Sequence, residues 1–296
     1  MRLGTVIHAD REIVAAAVPG GLVDLTAACG FGDMMAVIAG GPEALAEARR
    51  ALTGPVIAEA DVSFRAPLMP AQLRDCLAFE EHLLNAFARA REMTGRAFDI
   101  PQVWYDEPIY DKANRFSVIG HEQDVIWPAY INHMDMELEL AVVVGNGGRD
   151  IGLAEAPAHI FGYTIFNDMT ARDAPMAEMA GHLGPAKGKD FDTGNILGPW
   201  ILTAEEVPHP AALAMSVSVK EERWGGGTSA DMHHDFAAII AHISASETLH
   251  PGEVIGSGTV GTGCGLEIGR ALRDGDRMAL EVEGIGYLVN LTIRQS

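Results

Sequence analysis

The stretch Asp135-Met136-Glu137-Leu138-Glu139-Leu140-Ala141-Val142-Val143-Val144-Gly145 alternates acidic and apolar residues and then continues as a β-branched run. Side chains in a β-strand point alternately to opposite faces, so the pattern predicts a strand with its acidic residues on one face. Residues two apart in a strand lie about 6.6–6.8 Å apart along the chain, so Glu137 and Glu139 could bind the same ion. Neighbouring carboxylates repel each other unless a cation lies between them. The alternative is a solvated sheet edge whose acidic residues bind nothing.

Length and composition limit the class of protein. The chain has 296 residues, of which 48% are hydrophobic and 33 are glycine. This is enough for a sizeable core with many tight turns, in one large domain or in two. The formal net charge of −20 argues against nucleic acid or an anionic membrane as a partner. An anionic substrate would therefore need a local positive charge, from a metal ion or from chosen lysines and arginines.

The sequence carries no pattern that indicates export or membrane insertion. Residues 1–6 lack the long apolar core of a signal peptide, and no apolar run reaches the length of a membrane helix. The three cysteines are widely spaced and odd in number, which favours reduced thiols in the cytoplasm; they are Cys29, Cys76 and Cys264. No cysteine and histidine spacing typical of a zinc site occurs.

The first 65 residues carry no charge cluster or cysteine–histidine pattern that suggests chemistry. Turn signals separate short apolar runs, which predict strands at 3–8, 13–18, 22–25 and 62–64. The stretch 44–50 predicts part of a helix. We expect a small N-terminal α+β lobe over residues 1–65 that ends in a proline-marked linker, and a larger domain over residues 66–296.

Residues 74–93 have the pattern of an amphipathic helix. Apolar side chains recur there at helical spacing, at Cys76, Phe79, Leu83 and Phe87. Asp75 and His82 are seven residues apart, so in a regular helix they share a face and lie about 10 Å apart along the axis. That separation suits an acid that holds a metal and a base that acts on a substrate between them. The alternative is a surface helix with an N-terminal aspartate favoured by the helix dipole and a solvated histidine.

Two further segments contain candidate site residues. The chain from 96 to 134 is rich in loops, which often line sites, and Tyr110 and Arg115 there are either substrate contacts or ordinary loop packing. The almost wholly apolar stretch 160–168 predicts a buried strand that ends on Asp168. A buried strand with a carboxylate at its end suits a further metal ligand.

Acidic, basic and glycine residues recur in segments whose order and spacing are specific as a set. These are Arg74-Asp75-x5-Glu81-His82, Asp135-x-Glu137-x-Glu139, Gly162-x5-Asp168-x3-Arg172, Gly188-Lys189-x3-Thr193 and Gly258-x2-Gly261-x-Gly263-x-Gly265-x-Glu267. Together they resemble the fumarylacetoacetate hydrolase superfamily from about residue 65 to the C-terminus. The resemblance implies an α+β, β-rich fold in which the N-terminal lobe precedes a mixed-sheet β-sandwich or roll. It also implies a homodimer.

The resemblance implies a metal site when it is carried over position by position. Its ligands to one divalent cation would be Glu137, Glu139, Asp168 and, as a fourth, Asp75. Hard cations prefer oxygen ligands, so Mg²⁺ is expected, with Mn²⁺ or Ca²⁺ as alternatives.

The same resemblance implies a set of catalytic and substrate-binding residues. His82 would be the general base, Glu267 the carboxylate that orients it, and Lys189 the cation that stabilises a developing oxyanion. Arg172 and Thr193 match positions near the substrate.

These expectations predict metal-dependent hydrolysis of a carbon–carbon bond in a small anionic 1,3-dioxo acid, such as an acylpyruvate. Leu77 and Pro175 stand where full fumarylacetoacetate hydrolases carry a tyrosine and a glutamine, which argues against fumarylacetoacetate itself. The alternative within enzymes is a decarboxylase, hydratase or isomerase of a 2-oxo acid at the same metal. The alternative outside enzymes is a protein that keeps the fold and the metal only as structure.

The stretch Gly256-Ser257-Gly258-Thr259-Val260-Gly261 matches the glycine pattern of dinucleotide-binding proteins. It stands late in the chain and no clear helix begins at its third glycine. We therefore expect no nicotinamide site there.

Overall fold

The computed structural model describes residues 1–178, 181, 184–208 and 211–294, which form a mixed α/β fold rich in sheet. The α+β, β-rich class predicted from the sequence is confirmed. The strands in chain order are β1 Arg2–His8, β2 Arg11–Val18, β3 Gly21–Asp24, β4 Val56–Ile57, β5 Ser63–Phe64, β6 Leu73–Cys76, β7 Tyr110–Ala113, β8 Val118–Ile119, β9 Asp124–Trp127, β10 Met134–Asp135, β11 Leu138–Val144, β12 Ile160–Asp168, β13 Thr170–Ala171, β14 Asn195–Thr203, β15 Met215–Val219, β16 Glu222–Gly225, β17 Val254–Gly256, β18 Arg277–Val282 and β19 Gly286–Arg294. The helices are α1 Leu25–Cys29, α2 Met34–Ala51, α3 Glu80–Thr94, α4 Gln102–Asp106, α5 Asp173–Glu178, α6 Ala186–Lys189 and α7 Phe236–Ser244.

One large sheet contains strands from both ends of the chain. Its order is β4-β3-β2-β1-β14-β12-β11-β17-β6-β7, with β5 paired to β1 and β8 paired to β14. Because β1 is antiparallel to β14, the first strands of the chain extend the sheet that contains β11 and β12. A second sheet has the order β16-β15-β18-β19-β9.

The apolar runs of β11 and β12 are buried on both faces of the large sheet. Leu138, Leu140 and Val142 belong to one hydrophobic cluster, whereas Ala141 and Val143 belong to another. This division follows the two-residue period of a strand, so consecutive side chains enter different cores. Burial on both sides is why the segment has a continuous apolar run after its acidic start.

The acidic end of the first stretch is not one continuous strand. Asp135 ends β10, which pairs with β13, and β11 begins only at Leu138. Glu137, between them, makes a single bridge to Cys264, and its N–H donates to Asn167 Oδ1 at 3.0 Å. The chain thus changes pairing partners at this point, which interrupts the predicted strand. The solvated-edge alternative is wrong, because the three acids are only 2%, 4% and 0% exposed in chain order.

The helix predicted over 74–93 is wrong in its first part. Residues 73–76 are strand β6, which is parallel to β17 and antiparallel to β7, and the helix begins only at Glu80. Asp75 is therefore on a strand and His82 in the first turn of α3, so the two do not share a helix face. Two neighbouring strands satisfy the backbone of β6, and this pairing overrides the helical spacing of its apolar residues.

The strands predicted at 3–8, 13–18, 22–25, 62–64 and 160–168 are confirmed by β1, β2, β3, β5 and β12. The predicted helical stretch 44–50 lies in α2, which is interrupted at Gly41 before Pro42. All three cysteines are free. No helix among the described residues is long and apolar enough to cross a membrane.

A buried ion pair joins β6 to the start of β17. Arg74 Nε lies 3.0 Å from Glu253 Oε2, and both side chains are 3% exposed. Removing one partner of such a pair leaves an uncompensated charge in the interior, which costs about 3–5 kcal/mol. We expect Arg74→Met to lower the free energy of unfolding, measured in urea, by about that amount.

The matched control is Arg149→Met, because Arg149 pairs with Asp150 on the surface, where the side chains are 58% and 64% exposed. Exposed pairs contribute about 0–1 kcal/mol. Equal losses in the two variants would contradict a structural role for the buried pair.

Candidate active site

Carboxylates from three strands of the large sheet meet at one place. Asp75 is on β6, Glu139 on β11 and Asp168 at the end of β12, and one oxygen of each lies within 4.8 Å of the others. Strand β17 lies between β6 and β11, so its residue Gly256 separates two of these acids. A Cβ at Gly256 would be 2.6 Å from Asp75 Oδ1 and 2.7 Å from Glu139 Oε2. The absence of a side chain therefore lets the carboxylates approach each other.

The three acids are held in an unfavourable environment for negative charge. Burial, followed by neighbouring acids, raises the pKa of Glu139 well above its ordinary range. Burial also raises the pKa values of Asp75 and Asp168. Asp75 Oδ1 and Glu139 Oε1 are buried and accept from no backbone, amide or cationic donor among the described residues; their carboxyl groups interact with each other instead. Unpaired buried oxygens on converging carboxylates fit a hard divalent cation, which takes oxygen ligands.

Glu137 is close to this group but is held by two cations. Lys189 Nζ contacts both Glu137 and Asp168, and Arg172 Nη2 lies 2.7 Å from Glu137 Oε1. Burial opposes ionisation of Glu137, but Arg172 and Lys189 outweigh it and hold its pKa well below the ordinary range. Lys189 keeps its proton because Asp168 and Glu137 raise its pKa, even though burial acts the other way. The structure thus brings Glu137, Asp168 and Lys189 together.

Asp135 connects two parts of the site, a role that the acidic alternation of the sequence does not indicate. Its Oδ2 accepts from Arg172 Nη2 at 2.7 Å and from the N–H of Leu266 at 2.9 Å, and its Oδ1 accepts from the N–H of Gly265 at 2.8 Å. Asp135 therefore links Arg172 to the loop that precedes Glu267.

His82 and Glu267 form the second part of the site. His82 Nδ1 lies 3.1 Å from Glu267 Oε2, and the Glu267 side chain is fully buried. The contact is close, but the ring N–H does not align for a hydrogen bond. Glu267 Oε1 accepts from the N–H of Thr262 at 2.9 Å and from Asn85 Nδ2 at 3.2 Å. Cys264, which bridges to Glu137, has its ligand atom within 4.8 Å of that of His82, so the pair lies next to Glu137.

Asn85 is a site residue that the sequence analysis missed. It stands three residues after His82 on α3, so one face of this helix presents both side chains to the Glu267 carboxylate. The i, i+3 spacing from the candidate base was the only signal in the sequence. In the glycine-rich stretch 256–261, no helix begins at the third glycine of the pattern, Gly261. The stretch instead contributes Gly256 and the N–H of Gly258, which donates to Glu139 Oε2 at 3.0 Å.

The other predicted substrate contacts have partners elsewhere. Tyr110 lies under the Arg74 guanidinium, whose Cζ is 5.7 Å from the ring centroid. Arg115 donates to the carbonyl of Pro70. Thr193 Oγ1 accepts from the N–H of Ile126 at 2.8 Å and so anchors β9. The structure does not join these three side chains to the carboxylate cluster by any described contact, and their role in substrate binding stays a prediction.

Filling the gap at Gly256 tests the carboxylate cluster as a metal site. Gly256→Ala places a methyl group against Asp75 and Glu139, so we expect it to abolish stabilisation by Mg²⁺. In the parent protein, an ion at a hundredfold excess over its Kd adds about 2.7 kcal/mol, seen as a rise in Tm. Gly32→Ala is the control, because a Cβ there meets no atom within 4 Å. An equal rise in Tm with Mg²⁺ in all three proteins would exclude the site.

The pKa shifts predict how metal binding depends on pH. Glu139 and Asp168, whose pKa values burial raises, keep protons in the metal-free folded state that the unfolded chain has already released. The metal-free protein therefore loses stability as the pH rises above about 4, through the raised pKa values. The lowered pKa of Glu137 has the opposite effect, but only below its ordinary pKa of about 4.3.

A metal ion has to displace the protons on these carboxylates, so its affinity increases with pH. We expect the rise in Tm caused by a fixed Mg²⁺ concentration to be larger at about pH 8 than at about pH 6. The Gly256→Ala protein should give no such difference. A rise that is independent of pH would show that Mg²⁺ binds somewhere other than the raised-pKa carboxylates.

Known proteins resemble this chain in sequence and in fold. Residues 79–293 match the family model described as Fumarylacetoacetate (FAA) hydrolase C-terminal. Oxaloacetate tautomerase FAHD2A, mitochondrial, of Homo sapiens is 31% identical over 256 residues, which cover 86% of this chain and 77% of that protein.

Two solved structures are each 25% identical, and each comparison covers 100% of both chains. Fumarylacetoacetate hydrolase (EaFAH) from psychrophilic Exiguobacterium antarcticum superposes with a TM-score of 0.77. 5-carboxymethyl-2-hydroxymuconate delta-isomerase from Mycobacterium smegmatis superposes with a TM-score of 0.73. The chain belongs to the fumarylacetoacetate hydrolase family.

Proposed function

We propose that this chain is a metal-dependent hydrolase that breaks a carbon–carbon bond in a 1,3-dioxo acid such as an acylpyruvate. The observation that carries the proposal is the contact of His82 with buried Glu267 next to the carboxylates of Asp75, Glu139 and Asp168. In the reaction, water adds to one carbonyl carbon and the bond to the neighbouring carbon breaks. The electron pair leaves with the 2-oxo acid fragment, which then takes up a proton, so that the products are a carboxylic acid and a 2-oxo acid.

The acidic cluster would hold the metal. All its donors are carboxylate oxygens, which favours Mg²⁺ and admits Mn²⁺ or Ca²⁺. When bound, a divalent cation polarises substrate oxygens and stabilises the negative charge that develops on them. We also propose Glu137 as a metal ligand, because its buried carboxylate and that of Asp168 both contact Lys189 Nζ.

His82 is the residue that we assign to water activation. Glu267 faces Nδ1, which leaves Nε2 to accept the proton of water, and the carboxylate stabilises the imidazolium that forms. An imidazole has the right intrinsic pKa for a base near neutral pH. Lys189 and Arg172 cannot act as the base, because neighbouring carboxylates raise the pKa of each side chain against the effect of burial. They stay charged and supply positive charge for a substrate carboxylate or a developing oxyanion.

A second candidate is tautomerisation of oxaloacetate. The observation in its favour is the human relative of that name, which is 31% identical to this chain. Tautomerisation moves a proton between a carbon and an oxygen of one substrate, and it needs a base but no water. His82 could serve as that base. Decarboxylation of oxaloacetate would need no base for water and so would not depend on His82.

We propose Tyr110, Arg115 and Thr193 as outer contacts of the substrate, with Arg172 nearer the metal. We also propose that the protein forms a homodimer, that Mg²⁺ is its working ion and that it is located in the cytoplasm. Size-exclusion chromatography with light scattering and a comparison of metals in the assay test the first two.

Removal of the base separates the candidate reactions. General-base catalysis contributes about 10²–10⁴-fold, so His82→Ala should lower the turnover of an acylpyruvate by roughly that factor. Glu267→Gln should cause a smaller loss, because it only orients and charges the histidine. The stabilisation by Mg²⁺ should stay unchanged in both variants, since neither side chain belongs to the carboxylate cluster. His159→Ala is the control, because the His159 ring contacts the carbonyl of Asn146, outside the site.

Each protein is assayed with an acylpyruvate and with the enol form of oxaloacetate at one Mg²⁺ concentration. Acylpyruvate cleavage that persists in His82→Ala refutes water activation by His82. If the parent protein converts oxaloacetate but not the acylpyruvate, and His82→Ala abolishes that conversion, the tautomerase is supported instead. Loss of carbon dioxide from oxaloacetate that survives the substitution indicates a decarboxylase. Turnover of neither substrate while Mg²⁺ still stabilises the protein would favour a structural metal.

A further inference from the structure

A second group of potential metal ligands lies beside the carboxylate cluster, and it contains a different set of donor atoms. It consists of His82, Cys264 and Glu267, whose ligand atoms all lie within 4.8 Å of one another. His82 Nδ1 is 3.1 Å from Glu267 Oε2, and Cys264 Sγ is 3.2 Å from the same oxygen. The sequence gives no spacing signal for this group, because its residues come from α3 and from the loop after β17.

His82 supplies the observation that points to a ligand. The residue is 8% exposed, and its Nδ1 atom is buried without a hydrogen-bond partner of good geometry. This nitrogen faces a fully buried carboxylate and a fully buried thiol. A buried polar atom normally has a partner, so its absence here marks a place that another group can occupy. The hydrolytic chemistry proposed above does not use the Cys264 thiol.

The distances suit a soft or borderline cation. Zn²⁺ binds nitrogen at about 2.0–2.1 Å and sulfur at about 2.3 Å. In a tetrahedral site those bonds hold the ligand atoms roughly 3.3–3.6 Å apart, a few tenths of an ångström more than the two distances in the group. The third pair, the ligand atoms of His82 and Cys264, lies within 4.8 Å, so side-chain movements have to adjust all three distances before one nitrogen, one sulfur and one oxygen face the same ion.

The two metal sites differ in what they prefer. The cluster of Asp75, Glu139 and Asp168 offers only oxygen, which favours Mg²⁺. A set of imidazole, thiolate and carboxylate favours Zn²⁺ or Cd²⁺ over Mg²⁺. Saturating Mg²⁺ can therefore fill the first site and leave the second available to a softer ion.

We infer that His82, Cys264 and Glu267 form an inhibitory Zn²⁺ site. The ion binds through His82 Nδ1, Glu267 Oε2 and the Cys264 thiolate, and the thiol proton is released to solvent. Bound there, it takes both partners of the His82–Glu267 pair, so the histidine can no longer be oriented and charged by the carboxylate. Binding of the ion is independent of the proposed function, whereas inhibition rests on it.

Spectroscopy tests the binding directly. The protein is first freed of bound metal and then saturated with Mg²⁺. Cd²⁺ is added next, and the ultraviolet charge-transfer band of a thiolate–cadmium bond is recorded. We expect the band in the parent protein and in Cys29→Ser, whose thiol lies at the end of α1. We expect no band in Cys264→Ser or in Cys264→Ala. Absence of the band in the parent, or its persistence in both Cys264 variants, overturns the site.

Zinc affinity and inhibition give the second readout. Loss of an outer-shell partner alone typically costs 10–100-fold in metal affinity, so loss of the thiolate ligand should weaken Zn²⁺ binding at least about tenfold. Competition with a chromophoric chelator measures this, and His82→Gln should show a similar loss. Melting temperatures without metal verify that each variant is folded. Zn²⁺ affinity that is unchanged in folded Cys264→Ser overturns the proposal.

Turnover of an acylpyruvate is then titrated with Zn²⁺ at saturating Mg²⁺, each variant normalised to its own zinc-free rate. The concentration for half inhibition should rise at least about tenfold in Cys264→Ser and stay unchanged in Cys29→Ser. If Zn²⁺ binds with an affinity that depends on Cys264 but leaves turnover unchanged, the inhibitory role is overturned. A protein without acylpyruvate turnover refutes the proposed function, while the charge-transfer band still decides whether the metal site exists.

Discussion

The repulsion between buried carboxylates is the constraint on which the rest of the site depends. Asp75, Glu139 and Asp168 converge in an interior where burial raises their pKa values. No cation among the described residues pairs with Asp75 Oδ1 or Glu139 Oε1. Two cations lie beside the group: Arg172 pairs with Asp135 and Glu137, and Lys189 pairs with Glu137 and Asp168. An interior with more carboxylates than cations is costly unless protons or a metal ion balance the charge. The ionised carboxylates of this group therefore need additional positive charge beside them.

The order of the strands in the large sheet brings these carboxylates together. Asp75 and Glu139 lie on strands separated by β17, and they could not approach each other if β17 carried a side chain between them. Gly256 removes that obstacle, and the N–H of Gly258 fixes one oxygen of Glu139. A neighbouring buried ion pair, Arg74 with Glu253, fastens β6 to β17. The position of Asp75 thus follows from pairing of strands that lie far apart in the sequence.

The acidic cluster and the His82–Glu267 pair are mechanically connected. Lys189 joins Asp168 of the cluster to Glu137, and Arg172 joins Glu137 to Asp135. Asp135 also accepts hydrogen bonds from two N–H groups of the loop before Glu267. A change of charge at the cluster can therefore reach the loop that holds the carboxylate of the pair. This connection puts the candidate base and the candidate metal in a fixed relation, which catalysis by positioning requires.

The sequence by itself determined the elements whose signals are local. The buried strand that ends on Asp168 is an example, because an apolar run bounded by turn residues needs no distant partner to be read. The motifs also identified the family and the acids, the histidine and the lysine that meet in the structure. Only the tertiary structure decided that Asp75 is on a strand, since pairing with β7 and β17 overrides a helical pattern. It also decided which donors share a site: Cys264 meets His82 only because the loop after β17 packs on α3, and residue spacing does not record such long-range packing.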